Sequence, residues 1–185
     1  MSDIRVASRY AKSLLELADE QGVLEKVQQD MQLFSKTVKQ SRDFKLMLQN
    51  PIIKSDKKLA VINAVFSGKI QQMTQSFFNI VARKDRETLL EDIAEQFEKQ
   101  YNEFKGIQLA KVVSAVPLSA ALREELGRKL VAQTGKTIVL EEEVDSTLIG
   151  GFLLRVGDKQ IDSSVKNSLR KLRNKFKDNP YINQL

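Results

Sequence analysis

The stretch "TLIGGFLLRVGDKQIDSSVKNSLRKL", residues 147–172, decides the fold of the second half of this chain. It holds three of the eight glycines, with Gly157-Asp158 between two strand-like runs and a basic amphipathic segment after the serines. The pattern predicts two strands joined by a two-residue hairpin turn. A closing helix follows, beginning at Ser163 or Ser164 and carrying an apolar face. That face consists of Val165, Leu169, Leu172 and Phe176.

The residues upstream of this stretch complete a small α+β domain. "IQLAKVVSAVPL", from residue 107, alternates and is β-branched, which predicts a strand that Pro117 ends. Ser119 is predicted to cap a helix that ends near Gly135, and "TIVLEEEV" is a second strand. The order β-α-β-β-β-α, ending in a C-terminal helix, is therefore expected over residues 106–185.

The first 105 residues show helical periodicity throughout. The first helix places its apolar residues on one face: Ile4, Ala7, Ala11, Leu14, Leu15 and Ala18. Five further segments repeat this pattern. One of them begins at Ser41, and Ser55 is predicted as the N-cap of another. Six amphipathic helices with short links predict an all-α bundle over residues 1–105. The fold class is thus α+β with two domains, divided near Lys105-Gly106.

The composition excludes many kinds of active site. The chain has 185 residues, of which 42% are hydrophobic, and it contains neither cysteine nor histidine. Disulfides, Cys/His metal sites and His-based catalytic triads are therefore excluded, although carboxylate chemistry is not. No apolar run approaches the ~20 residues of a membrane span, and the N-terminus lacks a signal-peptide pattern. We expect a protein that stays in the bacterial cytoplasm.

The glycine-rich segments do not fit a nucleotide site. "TGKT" at 134–137 resembles the end of a P-loop, but Leu130 stands where the first glycine is required, and the segment follows a helix. Gly150, Gly151 and Gly157 also miss the dinucleotide spacing. We interpret Gly150-Gly151 as a close backbone approach or bulge and Gly157 as a hairpin turn. No nucleotide is expected to bind.

The acidic residues do not predict a metal site either. Glu141, Glu142 and Glu143 are consecutive on a strand, so their side chains alternate between its faces and cannot converge on one ion. Asp158 and Asp162 flank the hairpin without a third supporting group, and Asp162 fits a helix N-cap. We expect no metal and no cofactor.

The positive charge concentrates towards the C-terminus. The net charge is +6, and from Ser163 onwards the only acidic residue is Asp178. The basic residues of this segment are Lys166, Arg170, Lys171, Arg173, Lys175 and Lys177. Such a helix can meet an acidic protein, nucleic acid or an acidic lipid surface. Aromatic residues are only 6% of the chain, and no RNA- or DNA-binding signature is present, so a solvated helix face or an acidic protein partner is favoured.

Several of these segments resemble the delta subunit of F-type ATP synthases, called OSCP in mitochondria. The N-terminal features are Tyr10-Ala11 with Leu14, Asn50-Pro51, Lys58 and Arg86. The more specific match is C-terminal. It reads Ile149-Gly150-Gly151, Gly157-Asp158, Ile161-Asp162, Ser164-Val165 and Leu169. The resemblance covers nearly the whole chain.

The resemblance implies a non-catalytic stator subunit without a cofactor. In the family, the helical domain receives the N-terminal helix of an alpha subunit in a groove between its first and fifth helices. The C-terminal domain holds the b subunits of the peripheral stalk, so rotary torque drives ATP synthesis. The protein would lie peripherally at the cytoplasmic face of the bacterial inner membrane, associated with the membrane only through the complex.

The resemblance also implies two sets of partner-binding residues. The groove would be formed by Tyr10, Ala11, Leu14, Phe77, Ile80 and Lys84, for each of which a place in the bundle core is the alternative. The stalk contact would involve Gly150, Gly151, Gly157, Asp158, Asp162, Lys166 and Arg170. Two other functions remain open from the residues alone: a helical nucleic-acid-binding protein and a carboxylate-based enzyme.

Overall fold

The computed structural model of the chain describes residues 3–177. The chain divides into two compact units, Met1–Lys105 and Gly106–Leu185. The helices of the first unit are α1 (Asp3–Glu20), α2 (Leu24–Gln40), α3 (Arg42–Gln49), α4 (Ser55–Phe66), α5 (Gln72–Arg83) and α6 (Leu90–Phe104), with a 3₁₀ turn (Glu87–Leu89) before α6. The elements of the second unit are β1 (Ile107–Ser114), α7 (Ala120–Thr134), β2 (Thr137–Val144), β3 (Phe152–Val156), β4 (Lys159–Asp162) and α8 (Val165–Lys177). The predicted fold class, six helices followed by β-α-β-β-β-α, is confirmed.

A cluster of four phenylalanines joins the middle helices of the first unit. Phe34 of α2 lies at its centre, with ring centroids 5.0 Å from Phe78 of α5 and 5.5 Å from Phe66 of α4. Phe44 of α3 completes the cluster, 6.1 Å from Phe34. All four side chains are buried. Aromatic pairs in such edge-on and tilted arrangements contribute stability beyond that from the burial of their apolar area. The cluster therefore holds the four helices α2, α3, α4 and α5 around one core.

The start of α5 is stabilised by a side chain from another helix. The buried Asp30 of α2 accepts hydrogen bonds from the Gln71 backbone N–H, at 2.8 Å, and from the Thr74 hydroxyl, at 2.6 Å. Gln71 itself supplies no side-chain cap. A carboxylate at a helix N-terminus satisfies an unpaired N–H group and complements the helix dipole, so Asp30 sets where α5 begins.

The structure confirms most of the predicted helix ends. The hydroxyls of Ser41 and Ser119 accept from the N–H groups three residues later, and Gly135 ends α7 with φ +66°. The prediction for Ser55 is wrong. Ser55 is the first residue of α4, and its hydroxyl donates to Asp85, at 2.6 Å, because that carboxylate lies beside it.

The second unit contains a four-stranded mixed sheet in the order β2-β1-β3-β4. β1 and β2 are parallel and are connected by α7, whereas β1–β3 and β3–β4 are antiparallel. Ala110 and Val112 of β1 and Leu154 of β3 form a buried core with Leu130 of α7. The face of the sheet that carries these residues therefore packs against α7.

Gly150 and Gly151 bring two backbone segments together, as the sequence predicts. Gly151 has φ +80°, and a Cβ placed there would lie 2.3 Å from the Ser163 carbonyl oxygen. The Gly150 carbonyl accepts from the Val165 N–H at 3.0 Å. Any larger side chain at Gly151 would thus displace the start of α8. The hairpin prediction is also confirmed, since Gly157 has φ +56° between β3 and β4.

The N-cap of α8 is Ser164, which corrects the assignment of that role to Asp162. The Ser164 hydroxyl accepts from the Asn167 N–H at 3.2 Å. Asp162 lies outside the helix, in a turn in which its carboxylate accepts from the Ser164 N–H at 2.9 Å. Hydrogen bonding from the side chain and backbone N–H of Ser164 lowers the pKa of Asp162. The predicted start at Ser163 or Ser164 is confirmed, and the cap is the serine and not the aspartate because the Ser164 hydroxyl is within reach of an N–H group of the first turn.

Candidate functional site

An open groove of about 570 Å³ lies between α1 and α5. It is lined by Tyr10, Ser13, Leu14, Leu17 and Gln21 of α1 and by Gln72, Met73, Ser76, Phe77 and Ile80 of α5. None of these side chains carries a charge. The groove is therefore suited to an apolar surface with a few polar neighbours.

The groove exists because α5 has two apolar faces. Phe78 and Val81 point into the core and are fully buried. Met73, Phe77 and Ile80 lie on the other side, where Ile80 keeps 54% of its surface exposed. A bundle helix needs only one apolar face to pack, so the second face is available for another helix.

The floor and edge of the groove differ in burial. Leu14 forms the floor and is only 2% exposed, while Leu17 at the edge is 44% exposed. Tyr10 and Phe77 meet across one end, edge to face, with ring centroids 6.3 Å apart. The groove thus combines a rigid base with apolar side chains that a partner would cover.

Four of the six residues predicted for this groove line it: Tyr10, Leu14, Phe77 and Ile80. The other two do not. The side chain of Ala11 is completely buried, and Lys84 is exposed at the C-terminal end of α5, outside the lining.

Sequence reasoning missed Leu17 of α1 as a lining residue and placed Met73 in the helix without assigning it to the groove. Helical spacing was the signal available for both. Leu17 follows Leu14 by three residues, and Met73 precedes Phe77 by four.

The second unit presents a different uncovered surface, on α8. Its apolar residues are all exposed: Val165 at 40%, Leu169 at 56%, Leu172 at 50% and Phe176 at 75%. They are spaced by four, three and four residues, which is the spacing of a coiled-coil seam. The sequence predicts the helix from these four residues. Within the described residues, no other helix or strand covers them. We call these four residues the α8 seam.

The residues predicted for the stalk contact fall into three places. Lys166 and Arg170 are exposed on α8, and Arg170 donates to the Asn167 side-chain oxygen at 2.9 Å. Gly157 and Asp158 form the exposed hairpin turn. Gly150, Gly151 and Asp162 hold the start of α8, as described above. Asp178, the acidic residue in the basic segment, lies outside the described residues.

Two of the three acidic residues of β2 form surface ion pairs. Glu142 pairs with Arg123 of α7, and Glu143 lies 2.6 Å from the Lys111 ammonium of β1. Across residues 3–177, no group of three or more acidic side chains converges in a way that would hold a metal ion.

Comparison with known proteins identifies the family. The chain matches the family described as "ATP synthase delta (OSCP) subunit" over residues 6–176. The chain belongs to this family. Its members are non-catalytic stator components of the peripheral stalk of F-type ATP synthase, so this chain is a structural subunit of that membrane-associated complex and not an enzyme.

Curated relatives match over almost their full length. The ATP synthase subunit delta of Cytophaga hutchinsonii is 38% identical over 95% of this chain and 96% of its own length. That of Christiangramia forsetii is 37% identical over the whole of both chains. A chain in the cryo-EM structure of the Toxoplasma gondii mitochondrial ATP synthase hexamer has the same fold, with a TM-score of 0.72 over 92% of this chain and 96% of that one, at 22% identity.

Among residues 3–177, no helix is both long enough and apolar enough to cross a bilayer.

Proposed function

We propose that this chain joins the catalytic head to the peripheral stalk through the two surfaces described above. The groove between α1 and α5 binds the N-terminal helix of an alpha subunit, and the α8 seam binds the b-type helices of the stalk. The observation that carries the proposal is the presence of one uncovered apolar surface on each unit. The groove is lined by apolar side chains from two helices, and the exposed apolar residues of α8 recur at the spacing of a helix–helix contact.

The groove supports helix-in-groove recognition. A helix binds such a site by burying side chains at positions i, i+3, i+4 and i+7. Leu14 provides a buried base, the half-buried Phe77 lies beside it, and Ile80 provides exposed apolar area that a partner removes from water. Burial of apolar area at about 25 cal/mol per Å² makes these contacts the main source of affinity.

The α8 seam supports recognition of another helix by side-to-side packing. Heptad-spaced apolar residues pack between the side chains of a facing helix. The flanking Lys166 and Arg170 are exposed and would meet acidic residues beside the partner's apolar stripe. The α8 seam itself contains only apolar side chains, so apolar contact would provide most of the affinity. The basic residues beside it would determine how the two helices align along their length.

A stator needs contacts that dissociate slowly. Rotation of the central shaft pushes on the head, which synthesises ATP only while it is held still. Buried apolar anchors lower the dissociation rate more effectively than charges at the edge of an interface. Two sites on one chain also raise the effective concentration of each partner for the other.

The chain is peripheral to the membrane. It lies at the cytoplasmic face of the bacterial inner membrane, held there by the rest of the complex. It contacts neither nucleotide nor nucleic acid directly and carries no cofactor.

The test is whether both partners bind the chain at once. The full chain is mixed with the alpha-subunit N-terminal peptide and the soluble part of the stalk b subunits, all from the same organism, and complexes are identified by native mass spectrometry. We expect a ternary complex in which neither partner displaces the other. Displacement of one partner by the other would contradict the assignment of two separate sites.

A further inference from the structure

A second cavity lies at one end of the groove. It has a volume of about 310 Å³ and is lined by Val6, Arg9, Tyr10, Ser13 and Arg86. Tyr10 and Ser13 line both the groove and this cavity, so the two adjoin. The cavity brings two guanidinium groups to the end of a groove that otherwise has no charge.

Neither arginine has an acidic partner among the residues that the structure describes. Among the described residues, neither Arg9 nor Arg86 forms an ion pair. Arg86 contacts Tyr10 instead. Its Nη1 donates to the Tyr10 hydroxyl at 3.0 Å, and its Cζ lies 5.7 Å from the ring centroid. The charge of Arg86 is thus placed against a groove residue without being neutralised.

The backbone of Arg86 is fixed on both sides. α5 ends in a Schellman motif: Asp85 takes the left-handed position with φ +53°, and the Arg86 N–H donates to the Val81 carbonyl at 3.2 Å. Glu87, the next residue, is buried and its carboxylate lies 2.8 Å from the Lys58 ammonium. Arg86 therefore sits between two anchored residues, which limits the entropy lost when it binds a ligand.

We propose that Arg86 and Arg9 bind the carboxylate of an acidic side chain on the helix that occupies the groove. The inference rests on the proposed function and adds the chemistry by which the groove selects and orients its partner. A guanidinium presents a planar set of N–H donors that matches a carboxylate. Only Nη1 of Arg86 is used by Tyr10, so other donors remain for the ligand. The acidic side chain fixes which end of the bound helix lies beside Tyr10.

The first test compares charge-removing variants of the full chain by calorimetric titration with the alpha-subunit N-terminal peptide. Arg86→Gln is expected to weaken binding about tenfold or more, as loss of a hydrogen bond to a charged group does. Arg42→Gln removes the same charge from the first turn of α3, away from the groove, and is expected to leave the affinity unchanged. Added NaCl should weaken the wild type more than Arg86→Gln. Equal affinity of Arg86→Gln and wild type would overturn the proposal.

The second test identifies the carboxylate. Each Asp and Glu of the peptide is changed in turn to Asn or Gln, and each peptide is titrated against the wild type and Arg86→Gln. One peptide is expected to bind the wild type weakly and to lose nothing further with Arg86→Gln, because the two changes remove the same contact. Fully additive losses at every position would overturn the proposal while leaving the groove assignment intact. No binding of any peptide by the folded wild type would instead refute the proposed function.

Discussion

The Lys58 ammonium lies 2.8 Å from the Glu87 carboxylate, and both side chains are almost completely buried. Lys58 also donates to the Leu48 carbonyl at 2.8 Å, so it joins the end of α3 and the start of α4 to the turn before α6. This one contact links three segments that are separated in sequence. Arg86 directly precedes this turn, so the pair also supports the backbone at one end of the groove.

Lys58→Met is expected to destabilise the helical unit by about 3 to 5 kcal/mol, since it leaves a buried carboxylate without its partner. The measurement is urea unfolding followed by circular dichroism. Lys45→Met is the matched control: Lys45 also pairs with a carboxylate, that of Glu91, but its side chain is 43% exposed. Its loss should cost less than about 1 kcal/mol.

The double variant Lys58→Met/Glu87→Leu distinguishes the cost of an unpaired buried carboxylate from the loss of the ion pair itself. It should recover most of the lost stability, because apolar side chains of similar size replace a buried ion pair at little cost. Similar destabilisation by the single and double variants would show that the pair is not the source of the effect.

Gly151→Ala is expected to destabilise the second unit by about 2 kcal/mol or more, because alanine is strained at positive φ and its Cβ would collide with the Ser163 carbonyl. Gly127→Ala provides the opposite case. Gly127 lies within α7 with no atom within 4 Å of the added Cβ, so alanine should stabilise by about 0.5 to 1 kcal/mol. Thermal unfolding of both variants measures the difference. A Gly151→Ala protein as stable as the wild type would refute the close approach.

The Tyr101 hydroxyl donates to the Glu25 carboxylate at 2.6 Å. This hydrogen bond and burial raise the pKa of Tyr101 to about 12. Because the pKa is higher in the folded state, the contribution of Tyr101 to stability is complete below about pH 10 and is lost as the pH rises through about 12. Alkaline titration of tyrosinate absorbance should show this late step.

Two variants assign that step. Tyr101→Phe should remove it, and Glu25→Gln should move it towards the ordinary tyrosine pKa, since the donor no longer faces a negative charge. A late step that persists in Tyr101→Phe would belong to another tyrosine and would contradict the assignment.

Leu172→Asp is expected to weaken binding of the stalk b subunits at least about tenfold, because it puts a charge into an apolar interface. Leu172 is 50% exposed, so the folded chain should retain its stability. The matched control is Val116→Asp, which changes a residue that is 68% exposed after β1. Surface plasmon resonance with the soluble part of the b subunits measures both. Equal binding by the two variants would exclude the α8 seam from the stalk contact.

Local signals account for the elements that the sequence predicts. The hairpin follows from Gly157-Asp158, and the cap of α7 follows from Ser119, because turn and capping preferences act over a few residues. The helices follow from apolar periodicity in the same way. The N-cap prediction for Ser55 is wrong because the acceptor of its hydroxyl, Asp85, is thirty residues away in the sequence and adjacent only after folding.

Contacts between distant residues account for what the sequence does not predict. Periodicity identifies α5 as a helix but does not reveal that Phe78 faces the core while Phe77 faces the groove. Both residues are phenylalanine, so the sequence does not show which of them is buried. Packing of Phe78 against Phe34 places it in the core. The placement of Arg86 beside Tyr10 depends in the same way on how α5 ends against α1.

The most direct test of the central claim is calorimetric titration of the full chain with the alpha-subunit N-terminal peptide from the same organism. Two exposed isoleucines provide the comparison: Ile80, 54% exposed in the groove, and Ile52, 88% exposed between α3 and α4. We predict saturable binding that Ile80→Asp weakens at least about tenfold and Ile52→Asp leaves unchanged. Absence of saturable binding by the folded chain, or equal binding by all three proteins, would contradict the account.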